Sequence, residues 1–269
     1  MPTWCAIFSL MKIAFEKYQG SGNDFILIDD RQGFFPESDL EKISFLCHRH
    51  FGIGSDGLML IREHREVDFE MIFFNPDGSR SLCGNGSRCA VHLAKALGIA
   101  NNEGEFETTD GTHAYRSDQM GEIAIRMHDI SKNQHYFNHR FIHTGSPHLI
   151  VNKKDVDHVD VVLEGRTLRN NPAFADMQGS NINFVSPMGP NSFGVRTYER
   201  GVEDETLSCG TGVTAVAIAM ALDGLVENEA EIHTHGGVLK VRFHKDGNKF
   251  TDIWLSGPVN HVYSGVIDA

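Results

Sequence analysis

The 269-residue sequence predicts an α+β protein of two pseudo-symmetric lobes from an internal duplication, each a mixed β-sheet rolled around a central α-helix. Three observations predict this fold. A repeat divides the chain into two similar halves, each half contains short β-rich runs and few helices, and an apolar segment follows a glycine-rich turn in both halves. A chain of this length has enough residues for one large domain or two of ordinary size.

The repeat is clearest at a cysteine-glycine turn. The tetrapeptide CGNG at 83–86 recurs as CGTG at 209–212, so the two cysteines are 126 residues apart (209 minus 83). Residues 106–116 match 232–242 in the same register, and GSGNDFILI near the chain start resembles HTGSPHLIV further on. Several matches in nearly one register indicate a duplication rather than chance. We expect residues 1–11 to be a leader that the fold does not need, followed by lobes at 12–128 and 129–257.

Local patterns supply the elements of each lobe. Residues 38–50 are expected to form a helix, with Ser38 as N-cap and Glu41 three residues later, the capping-box spacing. Residues 213–222 are apolar on every face, so a helix there must be surrounded by protein. Alternating or β-branched runs predict strands at 12–18, 25–29, 68–75, 122–127, 194–198 and 238–243. A sheet wrapped around a buried helix accounts for both features.

Composition excludes several classes of protein. The formal charge of −12 argues against nucleic-acid binding, which needs clustered Lys and Arg. No run approaches the ~18 apolar residues of a membrane helix. Five cysteines are odd in number and too few for a disulfide framework, which favours a reducing, cytoplasmic location. The apolar first ten residues lack the basic start and cleavage site of a secretory signal.

The two cysteine-glycine turns are the strongest candidates for chemistry. Glycines before a helix expose backbone N–H groups at its positive end, where they can hold a carboxylate or phosphate. The same field favours the thiolate form of Cys83 and Cys209. One thiolate that removes a proton and one thiol that returns it on the opposite face would invert a stereocentre. Either cysteine alone could be a small core residue, but their duplicated setting favours the catalytic interpretation.

Other motifs give weaker signals. Cys47 with His48 and His50, and Cys89 with His92, do not assemble four metal ligands locally, so we expect no metal and a core position for Cys89. Residues 52–57 match G-x-G-x-x-G, but they follow a helix and precede a strand, which is the reverse of the dinucleotide-binding order.

Polar residues beside glycines or prolines form a second group of candidates. Asparagine often occupies turns for local reasons. Arg200 differs, because a guanidinium is the natural bidentate partner of a carboxylate, and the adjacent Glu199 could hold an ammonium group. The other candidates of this kind are Asn23, Asn75, His148 and Asn181.

From Met11 to the C-terminus, the motifs GSGNDF, FNPDGS, SLCGNGSRCAVHLA, TGSPH, NINF and YERGVEDETLSCGTG resemble the diaminopimelate epimerase family. The resemblance implies that Cys83 and Cys209 are catalytic and that His148 and Glu199 tune activity. It implies a carboxylate cradle at Gly84, Asn85, Gly210 and Thr211. It implies further substrate contacts from Asn23, Asn75, Asn181, Glu199 and Arg200. Two residues depart from the pattern of some relatives, which have Asn where this chain has Ser146 and Gln where it has Gly57.

The resemblance implies stereoinversion of LL-diaminopimelate to the meso form, in lysine and peptidoglycan precursor biosynthesis, without pyridoxal phosphate or another cofactor. It also implies that a last strand, at about 258–269, returns to the first lobe. The expected partner is the small-molecule substrate, without nucleic acid or membrane, and a homodimer is compatible with these expectations. Two alternatives stay open: another cofactor-independent racemase or isomerase on this fold, acting on histidine-like or proline-like substrates, and a binding protein that retains the fold.

Overall fold

The computed structural model describes residues 11–119 and 121–269, which divide into two compact units. The first unit runs to Arg116 and includes Val259–Ala269, and the second is Ser117–Pro258. The expected leader lies outside the described residues except for Met11. The backbone of Met11 exchanges two hydrogen bonds with Ala269, of 2.9 and 3.0 Å, so Met11 belongs to the first unit.

Over its described residues, the first unit contains two helices, α1 (Leu40–Cys47) and α2 (Gly84–Ala96). Its strands are β1 (Lys12–Gly20), β2 (Asn23–Asp29), β3 (Gly57–Arg62), β4 (Phe69–Phe74), β5 (Glu103–Thr108), β6 (Gly111–Ser117) and β17 (Val259–Asp268). The C-terminal strand β17 pairs antiparallel with β1 over the whole length of β1.

The second unit contains helices α3 (Val161–Arg169) and α4 (Gly210–Leu222) and a 3-10 helix at Pro172–Met177. Its first strands are β7 (Ile123–Met127), β8 (Asn133–Tyr136), β9 (His139–His143), β10 (Pro147–Asn152) and β11 (Asn181–Gly189). They are followed by β12 (Ser192–Glu199), β13 (Asp204–Thr206), β14 (Glu229–Thr234), β15 (Gly237–Asp246) and β16 (Lys249–Gly257).

Strand pairing repeats between the units. In the first, β2 and β3 are parallel, β3 and β4 antiparallel, β4 and β5 parallel, and β5 and β6 antiparallel. In the second, β10, β11, β12, β14 and β15 pair in the same sequence of orientations. Helices α1 and α3 connect the first parallel pair of each unit, and α2 and α4 connect the second. The predicted α+β fold with duplicated lobes is therefore confirmed.

The central helices are buried as the sequence predicts. Every side chain of α4 from Val213 to Ala221 is at most 2% exposed, and the helix contacts strands β9, β10, β11, β14, β15 and β16. In the first unit, α2 contacts β1, β2, β3, β4 and β17, and Cys89 on this helix is fully buried in the core. Removing so much apolar surface from water is the main stabilising contribution to each unit.

The first helix differs from its prediction in both ends and in its cap. It begins at Leu40 rather than at 38, because the side chain of Asp39 accepts the Lys42 N–H at 3.0 Å and acts as N-cap in place of Ser38. It ends at Cys47 because His48 has an extended backbone. The six predicted strands correspond to β1, β2, β4, β7, β12 and β15. Their predicted and observed ends differ by no more than two residues, except at the C-terminal end of β15, where the difference is three.

The division between the units also differs from the expected boundary at 128. Strand β7 pairs antiparallel with β16, from Ile123 opposite Gly257 to Met127 opposite Ile253. This pairing draws the segment after Arg116 into the second unit. Among the residues described, no helix is long and apolar enough to cross a membrane.

Candidate active site

In the first unit, Cys83 is the N-cap of α2. Its backbone is extended, with φ −125° and ψ 109°, and the helix begins with the Ser87 N–H donating to the Cys83 carbonyl at 2.7 Å. The Gly86 N–H donates to the Cys83 sulfur at 3.4 Å. The side chain is half-buried. A sulfur at the positive end of a 13-residue helix is in the setting that stabilises a thiolate.

In the second unit, Cys209 is the N-cap of α4. Its φ of −125° and ψ of 108° match those of Cys83, and the Val213 N–H donates to the Cys209 carbonyl at 2.8 Å. The residue is 7% exposed. Its sulfur lies 3.5 Å from the Thr211 hydroxyl oxygen. The sulfur therefore has both the helix terminus and a hydroxyl group beside it.

Each turn can also hold an anion. The N–H groups of Gly84 and Asn85, and those of Gly210 and Thr211, precede the first intrahelical hydrogen bond of their helices. Such groups point along the helix axis toward a carboxylate or phosphate. The predicted cradle residues are therefore at helix N-termini, one pair in each unit.

A directional hydrogen-bond chain fixes the asparagines near Cys83. The buried Arg88 guanidinium donates to the Asn85 side-chain oxygen at 2.9 Å. The Asn85 amide then donates to the Asn23 oxygen at 2.7 Å, and the Asn23 amide donates to the Asp56 carboxylate at 2.9 Å. Because each amide oxygen accepts from a donor, both side-chain orientations follow from the chain. Asp56 in turn binds Arg49 at 2.6 Å.

The predicted binding residue Asn75 hydrogen-bonds within its own loop. Its amide donates to the Ser79 hydroxyl at 3.0 Å and to the Ser81 hydroxyl at 3.2 Å, and its backbone N–H donates to the Ser79 carbonyl at 2.8 Å. These bonds shape the loop between β4 and α2. Asn75 therefore supports the segment that leads into Cys83.

In the second unit, His148 lies beside the turn of Cys209. Its Nε2 is 2.9 Å from the Ser146 hydroxyl and 3.0 Å from the Thr211 hydroxyl. Burial lowers the pKa of His148 to about 3, with further lowering by the charges of His143 and Arg200. The imidazole is consequently neutral near pH 7, and it contacts the cysteine turn through Thr211.

The remaining predicted residues of this unit meet where β11 begins and β12 ends. Asn181 accepts the Arg200 backbone N–H at 2.9 Å and donates to the Pro147 carbonyl at 3.0 Å. The Arg200 guanidinium donates to the Met177 carbonyl at 2.7 Å. The Glu199 carboxylate accepts the Thr206 hydroxyl at 2.8 Å. Asn181 thus ties the loop of Ser146 to the turn of Arg200.

Sequence reasoning missed several residues of these networks. Arg88 binds Asn85, Asp56 binds Asn23, and Asn183 lies against His148. Each of the three lies inside a motif of the sequence (SLCGNGSRCAVHLA, residues 52–57 and NINF), but the motifs do not show which side chains these residues bind. Of the two departures from relatives, Ser146 bonds His148 as described above. Gly57 packs under an aromatic ring, because a Cβ there would come within 2.4 Å of the Phe73 ring.

The chain is similar in sequence to proteins of one family over most of its length. The sequence profile of the diaminopimelate epimerase family matches residues 15–131 and 140–262. A diaminopimelate epimerase of Flavobacterium psychrophilum is 44% identical, with 93% of this chain and 98% of that protein covered. One of Aquifex aeolicus is 41% identical, with 93% and 96% covered.

Solved structures at low sequence identity share the fold. A Bacillus anthracis phenazine biosynthesis protein of the PhzF family has a TM-score of 0.74 at 15% identity, covering 96% of this chain and 99% of that one. A hydroxyproline epimerase from Agrobacterium vitis has a TM-score of 0.68 at 13% identity, covering 96% and 92%. The match to the family profile extends over both units, and the relatives match over nearly their full length. The chain belongs to the diaminopimelate epimerase family.

Proposed function

We propose that this chain interconverts LL- and meso-diaminopimelate, a step of lysine and peptidoglycan precursor biosynthesis, with Cys83 and Cys209 as the two catalytic groups. The observation that carries the proposal is the occurrence of one cysteine in the same N-cap conformation in each unit. Family membership supports the reaction class, and the duplication supplies the two thiols that inversion requires.

In the proposed step, one cysteine is a thiolate and the other is a thiol. The thiolate removes the Cα proton, and the electron pair of the broken C–H bond stays on the carbon and is shared with its carboxylate. The thiol then donates its proton to the opposite face of that carbon. The product has the inverted configuration, and the two sulfurs have exchanged their protonation states. The reaction is a proton transfer without oxidation or reduction.

The main barrier is the weak acidity of the Cα–H bond. Removing this proton places negative charge on the carboxylate, and the N–H groups of Gly84, Asn85, Gly210 and Thr211 are the proposed donors to it. Backbone N–H groups held in place before the reaction stabilise such charge without reorganisation. The helix N-termini add a favourable electrostatic potential for both the carboxylate and the thiolate.

The distal amino-acid group is the proposed ligand of Asn75, Asn181, Glu199 and Arg200, with Asn23 a further contact. Arg200 suits a carboxylate, and Glu199 suits an ammonium group. The proposal includes no metal and no cofactor, no nucleic-acid or membrane partner, and a cytoplasmic location. It requires that both sulfurs reach the Cα of one substrate molecule.

Incubation of LL-diaminopimelate with the purified protein, followed by chiral chromatography, tests the function. We expect the meso form to appear until the two isomers reach equilibrium. L-proline and L-histidine serve as comparison substrates, because turnover of either in preference to diaminopimelate would support a different racemase. Binding without Cα–H exchange in D2O would make the chain a binding protein and overturn the proposal.

A further inference from the structure

A buried chain of polar side chains lies beneath the Cys209 turn, and the two-thiol reaction does not by itself explain it. His148 and Asn183 are fully buried and Thr197 is 3% exposed. The chain is packed tightly against α4, because a Cβ at Gly212 would come within 2.4 Å of the Asn183 oxygen. Buried polar groups of this kind cost stability unless their hydrogen bonds are satisfied.

The orientation of the Asn183 amide follows from its neighbours. Its oxygen accepts the Thr197 hydroxyl at 3.0 Å. Its nitrogen faces the Leu149 carbonyl at 3.4 Å, and a carbonyl oxygen can only accept. The reversed amide would place two acceptor oxygens against each other. The Asn183 nitrogen is therefore the atom that lies 3.1 Å from His148 Nδ1.

This orientation decides where the His148 proton lies. Because the Asn183 nitrogen is a donor, Nδ1 of His148 must accept. A neutral imidazole that accepts at Nδ1 carries its proton on Nε2. The charged or titratable groups that act on His148 are Arg200 and His143, and both favour its neutral form. His148 thus donates from Nε2 toward the hydroxyls of Ser146 and Thr211.

The proton direction continues to the sulfur. The Thr211 hydroxyl oxygen lies 3.0 Å from His148 Nε2, 3.2 Å from the Ser146 hydroxyl oxygen and 3.5 Å from the Cys209 sulfur. Ser146 itself accepts from the Asn181 amide at 3.3 Å, which leaves its own proton to donate. Because His148 and Ser146 both donate to the Thr211 hydroxyl oxygen, the Thr211 hydroxyl proton is directed to the Cys209 sulfur. Hydrogen bonds to a thiolate are charge-assisted and stabilise it.

We infer that the Thr211 hydroxyl donates a hydrogen bond to the Cys209 thiolate, and that Asn183 is the positioning residue that sets this direction through His148. Thr211 then acts on Cys209 through its side chain in addition to any carboxylate contact by its backbone. His148 acts as a fixed donor and not as the base that deprotonates Cys209. The catalytic consequence rests on the proposed function, whereas the hydrogen bond does not.

The first test is Thr211→Val, which removes the hydroxyl at nearly constant shape and keeps the backbone N–H. The rate of Cys209 alkylation by iodoacetamide is measured against pH by mass spectrometry. Trypsin places the two thiols on separate peptides, 81–88 and 201–240, each with no other cysteine. We expect the midpoint for Cys209 to rise by about one pH unit or more, since a charge-assisted hydrogen bond is lost. The midpoint for Cys83 in the other unit should not move.

Kinetics distinguish this role from a structural one. In Thr211→Val we expect kcat to fall about tenfold or more with KM within about twofold, since the backbone contact is retained. Thr211→Ser should restore both the alkylation midpoint and kcat. An unchanged Cys209 midpoint in Thr211→Val would overturn the inference whatever the activity. A shifted midpoint in a protein that never turns over diaminopimelate would overturn the proposed function and leave the hydrogen bond standing.

The second test observes the His148 proton directly. In 15N-histidine-labelled protein, assigned by comparison with His148→Gln, we expect a protonated Nε2 and an unprotonated Nδ1 at pH 7. Asn183→Asp offers only acceptor oxygens, so Nδ1 should gain a proton in that variant. A wild-type spectrum with Nδ1 protonated would contradict the assigned direction, and an Asn183→Asp spectrum identical to wild type would contradict the role of Asn183.

Discussion

Cys83 and Cys209 have the same backbone conformation to within 1° in φ and ψ, and each is the N-cap of a 13-residue helix. Their immediate partners differ. The Cys83 sulfur accepts the Gly86 N–H at 3.4 Å, whereas the Cys209 sulfur lies 3.5 Å from the Thr211 hydroxyl. The duplication has thus preserved the helix field on both thiols but not their hydrogen-bond partners. Two thiols in similar fields and unequal surroundings suit a reaction in which they exchange the roles of acid and base.

Replacing Arg200 by lysine should impair substrate use although the charge is retained. An ammonium cannot reproduce the two parallel donors of a guanidinium, so we expect kcat/KM to fall by the equivalent of about 2 kcal/mol or more. The matched control is Arg242→Lys, because Arg242 is exposed and paired with Glu229. Near-normal kcat/KM in Arg200→Lys would remove Arg200 from the proposed distal site.

The stability of the protein should decrease in acid through His148. Burial lowers the pKa of His148 from its ordinary value of 6.5 to about 3 in the folded state. Below pH 6.5 the His148 imidazole is therefore protonated in the unfolded chain, whereas in the folded chain it stays neutral down to about pH 3. As the pH falls from 6.5 to about 3, the contribution of His148 to the free energy of unfolding decreases by at most about 1.4 kcal/mol per pH unit. Urea unfolding from pH 7 to 4 should show a shallower decrease for His148→Gln, and equal slopes would contradict the burial effect.

Substitution of Gly212 by alanine should damage the second unit locally. The new Cβ would meet the Asn183 oxygen at 2.4 Å, which forces the buried chain to shift at a cost of about 1–3 kcal/mol. We expect a lower melting temperature and a lower kcat. Gly189→Ala is the control, because nothing lies within 4 Å of a Cβ at that position. If both variants behave alike, the close contact at Gly212 does not constrain the site.

Activity should survive dialysis against EDTA and should need no added pyridoxal phosphate. The reason is chemical, because a thiolate and a thiol suffice for the proton transfers of inversion. Turnover before and after dialysis gives the answer. Loss of activity that a divalent metal restores would refute the cofactor-free mechanism.

The duplication and the central helices could be predicted from sequence, because the repeat of CGNG as CGTG and the apolar run after Cys209 are local patterns. The predicted N-cap of the first helix, Ser38, was wrong by one residue. Ser38 and Asp39 are both good caps, and the structure shows that the Asp39 carboxylate accepts the Lys42 N–H. The boundary between the units depended on the pairing of β7 with β16, and no local pattern reveals strand pairing over such a distance.

The candidate site residues are predicted by resemblance, whereas the hydrogen-bond partners that support them are not. Asn183 bonds His148, which is 35 residues away in sequence, and Thr197, which is 14 away. In the sequence Asn183 is one polar residue in an alternating strand, and such a residue is usually exposed. Asn183 lies inside the motif NINF, but the motif does not reveal its partners, because the contacts join its strand to β10, β12 and α4.

The most direct test of the two-thiol mechanism is Cα–H exchange with solvent deuterium in Cys83→Ala and Cys209→Ala, measured separately from LL- and meso-diaminopimelate together with chiral analysis. We predict that neither variant interconverts the isomers, because each lacks the group for one face. We also predict that the remaining thiol exchanges the proton of one isomer only, with opposite preferences in the two variants. Interconversion at the wild-type rate by either variant would contradict the account.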